Sequence, residues 1–265
     1  MIKCLDYSYK DLILNFLNKE KEKNLYILTN LEFHGFNAPY LRIYGEFDQF
    51  NKIIAALFQF NNFFIIYSSN NFSTKEFSDI INANNYTHIC GESSVLEKLK
   101  PFIKFKTIEK STLCVINNIK SLKTNLNIIQ EFQFGDGEKV VNLSNHIEEF
   151  PKNIYNSNKL DLDILTERVK GYCVLDNNKD MICMAQLLLN TPSYGIIVGV
   201  GTHPDFRLNG YASKCVSKLI KSNYTEGKLF GLTLLVIMQK KCIILLDLKI
   251  YALGLLYQIK NMQLN

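Results

Sequence analysis

The stretch Tyr194–Ile220, YGIIVGVGTHPDFRLNGYASKCVSKLI, constrains the fold of this chain more than any other. It opens with Ile196-Ile197-Val198-Gly199-Val200, a short β-branched run that reads as a buried strand. Residues Gly201 to Pro204 break that strand. From Ala212 the apolar residues recur at helical spacing through Cys215, Val216, Leu219 and Ile220. The unit is a strand, a basic glycine-bearing turn and a helix. The first turn of a helix carries N–H groups without intrahelical partners, at the positive end of its dipole. A phosphate placed there satisfies them, and a glycine lets the backbone come close. Arg207, three residues before Gly210, can add a two-pronged cation. The spacing predicts a pyrophosphate site, although it also fits an ordinary turn with a solvated arginine.

Taken together, these residues resemble the acetyl-CoA-binding motif of the GNAT superfamily of N-acetyltransferases. The strand-end pattern V-x-V-x-x-x-P-x-x-R is met by Val198, Val200, Pro204 and Arg207, and the R-x-x-G-x-A turn by Arg207, Gly210 and Ala212. The Gly/Lys that often follows the arginine is replaced by Leu208-Asn209. The resemblance implies acetyl-CoA as co-substrate, with no metal. It places cofactor contacts at Val198, Val200, Thr202, Arg207, Leu208, Asn209, Gly210, Tyr211, Ala212 and Ser213.

A length of 265 residues allows two domains of ordinary size, and 47% hydrophobic against 21% charged residues is a globular composition. A formal charge of +5 is mild, and no Lys/Arg block is long enough for a nucleic-acid stripe. The seven cysteines are odd in number and lack C-x-x-C spacing, so buried thiols in a reduced compartment are expected. The histidines, His34, His88, His146 and His203, are scattered and suggest no metal site. MIKCLDYSYKDL has charges where a signal peptide needs an apolar core. Leu229–Met238 is shorter than the ~20 apolar residues of a membrane span. A cytoplasmic protein is expected, a monomer or homodimer, with a small-molecule amine as partner and neither nucleic acid nor membrane.

In order along the chain, helices are expected at Lys10–Asn18 and Leu25–Leu31. A meander of strands follows at Leu41–Phe47, Ile53–Phe60 and Phe63–Tyr67. Ser73 should cap a helix bearing Phe77, Ile80 and Ile81, with Glu76 completing a capping box. A strand at His88–Cys90, a helix from Ser93/Ser94 to Leu99 and a strand at Phe105–Val115 close the first half. The polar run Asn117–Asn127 reads as a linker. The second half then reads strand (Ile128–Phe134), helix (Glu138–Phe150), helix (Leu160–Val169), hairpin (Tyr172–Asp176 with Met181–Leu189), strand and motif helix. That is the order of the GNAT fold, and the first half repeats it without an R-x-x-G-x-A turn. The chain thus resembles tandem GNAT proteins of low-G+C bacteria with a degenerate N-terminal copy. The implied fold is α+β: two GNAT-like α/β domains, 1–118 and 126–265, each a mixed, mostly antiparallel twisted sheet flanked by helices.

The tail departs from that family. Its N-x-x-A-x-x-x-Y-x-x-x-G-F segment supplies an Asn to CoA and a Tyr that protonates the leaving thiolate, and Leu229–Asn265 has no such pattern. Moved back one nucleotide, Met238-Gln239 forces an alanine codon. The neighbouring pairs permit Tyr, Gly and Phe with the family's Ala-to-Tyr and Tyr-to-Gly spacings, and Asn just before the Ala. Two readings follow: a segment translated out of frame from about Gly231, which the spacing favours, or a divergent apolar strand and helix. As written, Tyr251 or Tyr257 would be only accidental replacements for the acid.

The resemblance further implies direct attack of a neutral primary amine, of a small molecule or amino acid, on the thioester. A carboxylate would take its proton, with Glu148 and Glu149 as catalytic candidates, although each also reads as a solvated glutamate. A backbone N–H on Val198–Val200 would polarise the carbonyl. That strand needs a splayed neighbour, with which Gly199 and Gly201 are compatible. Of the tyrosines, Tyr26, Tyr40 and Tyr155 could line a cleft. A catalytically impaired acetyl-CoA-binding protein remains the alternative. A nucleotide-phosphate binder is disfavoured by the lack of G-x-x-x-x-G-K-[ST] and of a full G-x-G-x-x-G.

Overall fold

The computed structural model describes residues 1–105, 107–108, 111–116, 119, 122–235 and 249–252. The chain divides into two compact units, one built on Met1–Cys114 and the other on Val115–Leu232. The fold is mixed α/β, with two sheets flanked by helices.

In the first unit the elements are β1 (Ile2–Leu5), α1 (Lys10–Asn18), α2 (Leu25–His34), β2 (Leu41–Phe47), β3 (Ile53–Phe60), β4 (Phe63–Ser68), α3 (Thr74–Asn82), β5 (His88–Gly91) and α4 (Ser93–Leu99). The sheet follows chain order, β1-β2-β3-β4-β5. The meander pairs antiparallel from Leu41–Phe60 through Phe60–Phe63, and β4 and β5 are parallel, from Phe63–His88 to Ile66–Gly91. A parallel pair needs a crossover, here α3. Its stripe of Phe77 and Ile81 is fully buried against Phe64, Ile66 and Ile89 of the sheet. β1, which has only four residues to signal itself, is an edge strand that the sequence reading passed over.

The expected capping box at Ser73 does not form. Glu46, 6% exposed on β2, accepts hydrogen bonds from the Ser73 N–H (2.8 Å) and hydroxyl (2.6 Å). A buried carboxylate on the sheet thus takes the serine hydroxyl that would have capped the helix, and it places a negative charge at the positive end of α3.

β6 (Ser111–Ile116) is shorter than the strand expected over Phe105–Val115. The second unit continues with β7 (Gln130–Glu131), α5 (Gly137–His146), α6 (Ser157–Leu165), β8 (Lys170–Leu175), β9 (Met181–Asn190), β10 (Tyr194–Thr202), α7 (Tyr211–Asn223) and β11 (Leu229–Leu235). β12 (Lys249–Ala252) follows later in the chain. Strands β11, β10, β9, β8 and β7 are successive neighbours. β8, β9 and β10 are antiparallel, and β10 and β11 are parallel across the α7 crossover. One sheet face packs against α5 and α6 through Val140, Leu143, Ile147, Leu160, Met181 and Met184. The helix α7 packs on β8, β9 and β10, and its Cys215, Val216, Leu219 and Ile220 are all 0% exposed.

Three expectations need correction. The strand expected over Ile128–Phe134 shrinks to two residues because Asp136 accepts from the Gln133 N–H (2.8 Å), folding the chain into a local turn. The helix expected over Glu138–Phe150 stops at His146, where Ile147 turns extended (φ −99°, ψ 106°) and buries its side chain. Pro151 further disfavours helical backbone at Phe150. Glu148 and Glu149 therefore stand on the loop after α5. The helix expected over Leu160–Val169 instead runs over Ser157–Leu165, started by Asn156, whose side chain accepts from the Lys159 N–H (2.9 Å). Of the segment expected to be out of frame, 231–235 continue β11 and 249–252 form β12. The remainder, with Tyr257 and Cys242, lies outside the described residues, as do 117–118 and 120–121 of the expected linker.

Candidate functional site

The site grows from an irregularity in the β9–β10 ladder. Ile196 pairs with Leu189 but Ile197 with Leu187, so Leu188 is left over on β9. Val198 pairs with Gln186 but Gly201 with Met184, which leaves one residue too many on β10. These two opposed bulges bend the pair and re-aim the side chains between them. Gly199 has φ +58°, and a Cβ there would stand 2.4 Å from Tyr155 Oη and 2.8 Å from Gln186 Nε2. Only glycine fits. Val198, Gly201 and Thr202 pair with Gln186, Met184 and Cys183 of β9, and Gly199 and Val200 fall in the bulge. The bulge falls where the resemblance expects a carbonyl to be polarised.

Beyond β10 a 3-10 turn, Pro204–Phe206, leads into the glycine turn. Asn209 closes it by donating from Nδ2 to the Phe206 carbonyl (3.1 Å). Gly210 sits in the left-handed region (φ 74°, ψ 11°) at the cap of α7, and a Cβ there would meet only Ser213 Oγ, at 3.8 Å. Ser213 Oγ donates to the Gly210 carbonyl (2.8 Å), and the first helical bond is Lys214 N–H to that same oxygen (3.1 Å). Among the described residues, no acceptor is within hydrogen-bond reach of the N–H groups from Leu208 to Ser213. These amides do not turn inward onto the protein's own carbonyls, and the space before Gly210 is open. The donor set and this open approach fit a diphosphate.

Two named residues are committed elsewhere. Arg207 donates to Glu149 from both terminal nitrogens (3.1 and 2.9 Å) and to the Thr202 carbonyl from Nε (3.3 Å). The bond from Arg207 holds the Glu149 carboxyl below the usual carboxylate range, against a smaller opposing effect of burial. Thr202 turns its hydroxyl to the buried Cys183 thiol (3.2 Å). Cys183 in turn lies 3.8 Å from Cys215 Sγ, and the bond to Cys183, aided by burial, pushes the Cys215 thiol up. Cys4 is exposed, unlike Cys90, Cys114, Cys173, Cys183 and Cys215. Of the remaining sequence candidates, Glu148 and Asn209 are exposed, Tyr211 and Ala212 are half-buried, and Leu208 is 84% exposed with φ +69°. Val198 and Val200 are half-buried on the bulged strand.

Beside the bulges lies a cleft of about 400 Å³. Its walls are the loop after α5, the helix α6, and β9 and β10, and it reaches Val198 and Gly199. α6 is fixed on α5 by Asp161, whose Oδ1 accepts from the N–H groups of Gly135 (3.0 Å) and Gly137 (2.8 Å). At the Gly199 end stand Tyr155 and Gln186, the latter only 2% exposed. Burial pushes the Tyr155 phenol up, while a hydrogen bond from Gln186 opposes the shift. Gln186 Nε2 itself donates to Met184 Sδ (3.7 Å).

Sequence reading named Tyr155 without a reason to prefer it, and it missed Gln186. A signal for Gln186 was present: an uncharged polar residue inside the apolar run Met181–Leu189. Tyr40 instead bonds His34 (2.9 Å), and Tyr26 borders a void of about 50 Å³ in the first unit. The histidines are less scattered than expected, because the rings of His146 and His203 lie 5.0 Å apart. Among the described residues, no group of three or more His, Cys, Asp or Glu side chains could hold a metal ion, and no helix is long and apolar enough to cross a membrane.

Taken together, the two units have the mixed α/β architecture of GNAT-like domains in tandem. Among solved structures, the chain is similar to a GCN5-related N-acetyltransferase from Sphaerobacter thermophilus (10% identity, 99% of this chain and 96% of that one, TM-score 0.62). It is also similar to a tandem GNAT protein from the clavulanic acid biosynthesis pathway (8% identity, 100% and 99%, TM-score 0.53). A Drosophila protein aligns over 97% of this chain and 98% of its own at 9% identity and a TM-score of 0.66. No family model matches the sequence, and no curated protein does.

Proposed function

We propose that the chain is an acetyl-CoA-dependent N-acetyltransferase that acts on a primary amine of a small molecule or amino acid. The observation that carries this reading is the row of unpartnered amides from Leu208 to Ser213, opened by a left-handed Gly210 at the head of α7. These amides and Arg207 would hold the CoA diphosphate, and the bulged Val198–Val200 segment would offer a backbone donor to the thioester carbonyl. The GNAT-like fold supports the reading.

In the reaction, a neutral amine nitrogen attacks the carbonyl carbon, and the C–S bond breaks with its electron pair going to sulfur. The nitrogen loses one proton and sulfur gains one. Tyr155 is suited to give that proton, because burial holds it as a phenol beside Gly199. It would stand in for the tyrosine that the family carries in its C-terminal segment. Glu149 is ionised but occupied by Arg207, and Glu148 is exposed, so either would take the amine proton through water.

The first unit reads as a degenerate copy. Glu46 at the head of α3 supports this, since it already supplies an anion there. The second reading, an acetyl-CoA binder with impaired turnover, is favoured by the lack of the N-x-x-A-x-x-x-Y pattern after Gly231. Thiol release from acetyl-CoA with a panel of amines separates the two. Release above hydrolysis supports the transferase, whereas binding by calorimetry without release supports the binder. A chain that does not bind CoA refutes both.

A further inference from the structure

The geometry points to a monoamine on an apolar body, with no second charge, as the acceptor that the cleft beside Gly199 takes; this rests on the acetyl-transfer reading above. The argument starts from the bulges. The residue left over on β9 is Leu188, which is 46% exposed and lines the cleft. Ile154, 49% exposed on the opposite loop, lines it as well. Two large apolar side chains are thus held in water at the mouth of one cleft, an arrangement that a ligand's apolar surface would relieve. Further in, Phe150, Leu160 and Val169 continue the apolar wall.

The polar groups are few and sorted by place. Tyr155 and Gln186, both uncharged, stand at the Gly199 end, where a reacting amine must arrive neutral. The two charged residues of the lining are Lys159 and Asp163, one turn apart on α6. Asp163 is already paired with Arg168 (3.9 Å), and Lys159 is itself a cation, so neither offers a free carboxylate to a second ammonium group on the acceptor. A polyamine or sugar amine would have to give up water along the apolar wall without matched partners. A volume of about 400 Å³ is within the size range of small-molecule sites.

The test compares 2-phenylethylamine and hexylamine with spermidine, kanamycin, glycine and L-phenylalanine as acceptors, using thiol release from acetyl-CoA. The expected kcat/KM for the first two exceeds that for each of the others by about tenfold or more. Equal or better use of any of the others overturns the inference while leaving acetyl transfer standing. Leu188→Asp, at a half-exposed position where folding should survive, is expected to raise KM for 2-phenylethylamine about tenfold without changing CoA affinity. An unchanged KM also overturns the inference. If no amine is acetylated, the transferase reading falls, and calorimetry with 2-phenylethylamine alone decides the remaining point. Binding that Leu188→Asp abolishes upholds the apolar site, and no binding rejects it.

Discussion

Arg207 and Glu149, 58 residues apart in sequence, are joined by two hydrogen bonds of 3.1 and 2.9 Å. The cation expected to meet a diphosphate therefore already holds an internal carboxylate. An anion arriving at the Gly210 turn must share the guanidinium with Glu149 or displace it. Arg207 is 39% exposed, so the pair contributes at most about 1 kcal/mol, roughly a factor of five in affinity. Glu149→Gln is expected to tighten CoA binding by up to about that factor in calorimetry at low salt. Arg207→Ala should weaken CoA while leaving pantetheine unaffected. The pH dependence follows from the lowered Glu149 carboxyl. The ion pair is fully formed above the ordinary carboxylate value of about 4.3 and lost only as pH falls through the lower folded value. CoA affinity near neutral pH should accordingly show no step from this pair. If Glu149→Gln abolishes turnover at unchanged CoA affinity, Glu149 is the base and not a counter-ion.

The cradle itself is tested at Gly210. Gly210→Ala meets only Ser213 Oγ, at an ordinary 3.8 Å, but must hold φ near +74°, at a cost of about 1 kcal/mol, so the protein should fold with a slightly lower Tm. Gly210→Asp adds a carboxylate where the diphosphate would be and is expected to lower CoA affinity about a hundredfold or more. Unchanged affinity for the aspartate variant in calorimetry would remove the site from this turn.

What the sequence disclosed about this site followed from how local each signal is. The run Ile196–Val200, Gly210 and the helical spacing from Ala212 to Ile220 are contiguous, so strand, turn and helix could be placed together. The meander Leu41–Phe47, Ile53–Phe60 and Phe63–Ser68 was readable for the same reason, since dense β-branched and aromatic residues alternate with Asn and Asp turns. What stayed hidden depends on contacts between distant residues. No local pattern tells that Glu46 will take the Ser73 hydroxyl, or that Arg207 will meet Glu149. The opposed bulges are register properties of two strands and leave only a trace in one of them, the glycine at 199. Gln186 did leave a local trace, but its meaning appears only with Tyr155 opposite.

Tyr155 offers the sharpest test of proton transfer. Burial raises its phenol, so the group stays protonated past its ordinary value of about 10; any stability tied to the neutral form is present below that value and lost as pH rises through the folded one. Tyr155→Phe removes the proton and keeps the ring. The expected result is a fall in kcat of about a hundredfold with CoA affinity unchanged, in the range for loss of a general acid. Gln186→Leu should show a smaller fall, because the phenol survives while its polar neighbour beside Gly199 is lost. A Phe variant with wild-type kcat would assign Tyr155 to packing alone.

In the first unit, Glu46→Ala would leave the half-buried Ser73 donors without their acceptor. The expected cost is about 2 kcal/mol, read from denaturant unfolding. CoA affinity should not change, because the turn proposed to hold the diphosphate is built entirely from the second unit. A shift in CoA affinity would mean that the first unit takes part in cofactor binding, contrary to its assignment as a degenerate copy.

Leu208 carries the clearest backbone strain in the turn. It is a γ-branched residue at φ +69°, 84% exposed, so packing does little to compensate the left-handed conformation. That conformation costs an L-residue roughly 1–2 kcal/mol, and glycine avoids it at an entropic cost of about 0.5–1 kcal/mol. Leu208→Gly is therefore expected to be neutral or to stabilise the protein by up to about 1 kcal/mol, whereas Leu208→Val, branched at Cβ, should destabilise it. Thermal unfolding of the two variants beside the parent chain checks the order Gly ≥ Leu > Val. If the turn is held left-handed to aim its amides at a diphosphate, CoA affinity should survive Leu208→Gly and fall with Leu208→Val. A valine variant as stable as the parent would show that residue 208 has relaxed out of the left-handed region, and the strain argument would fail with it.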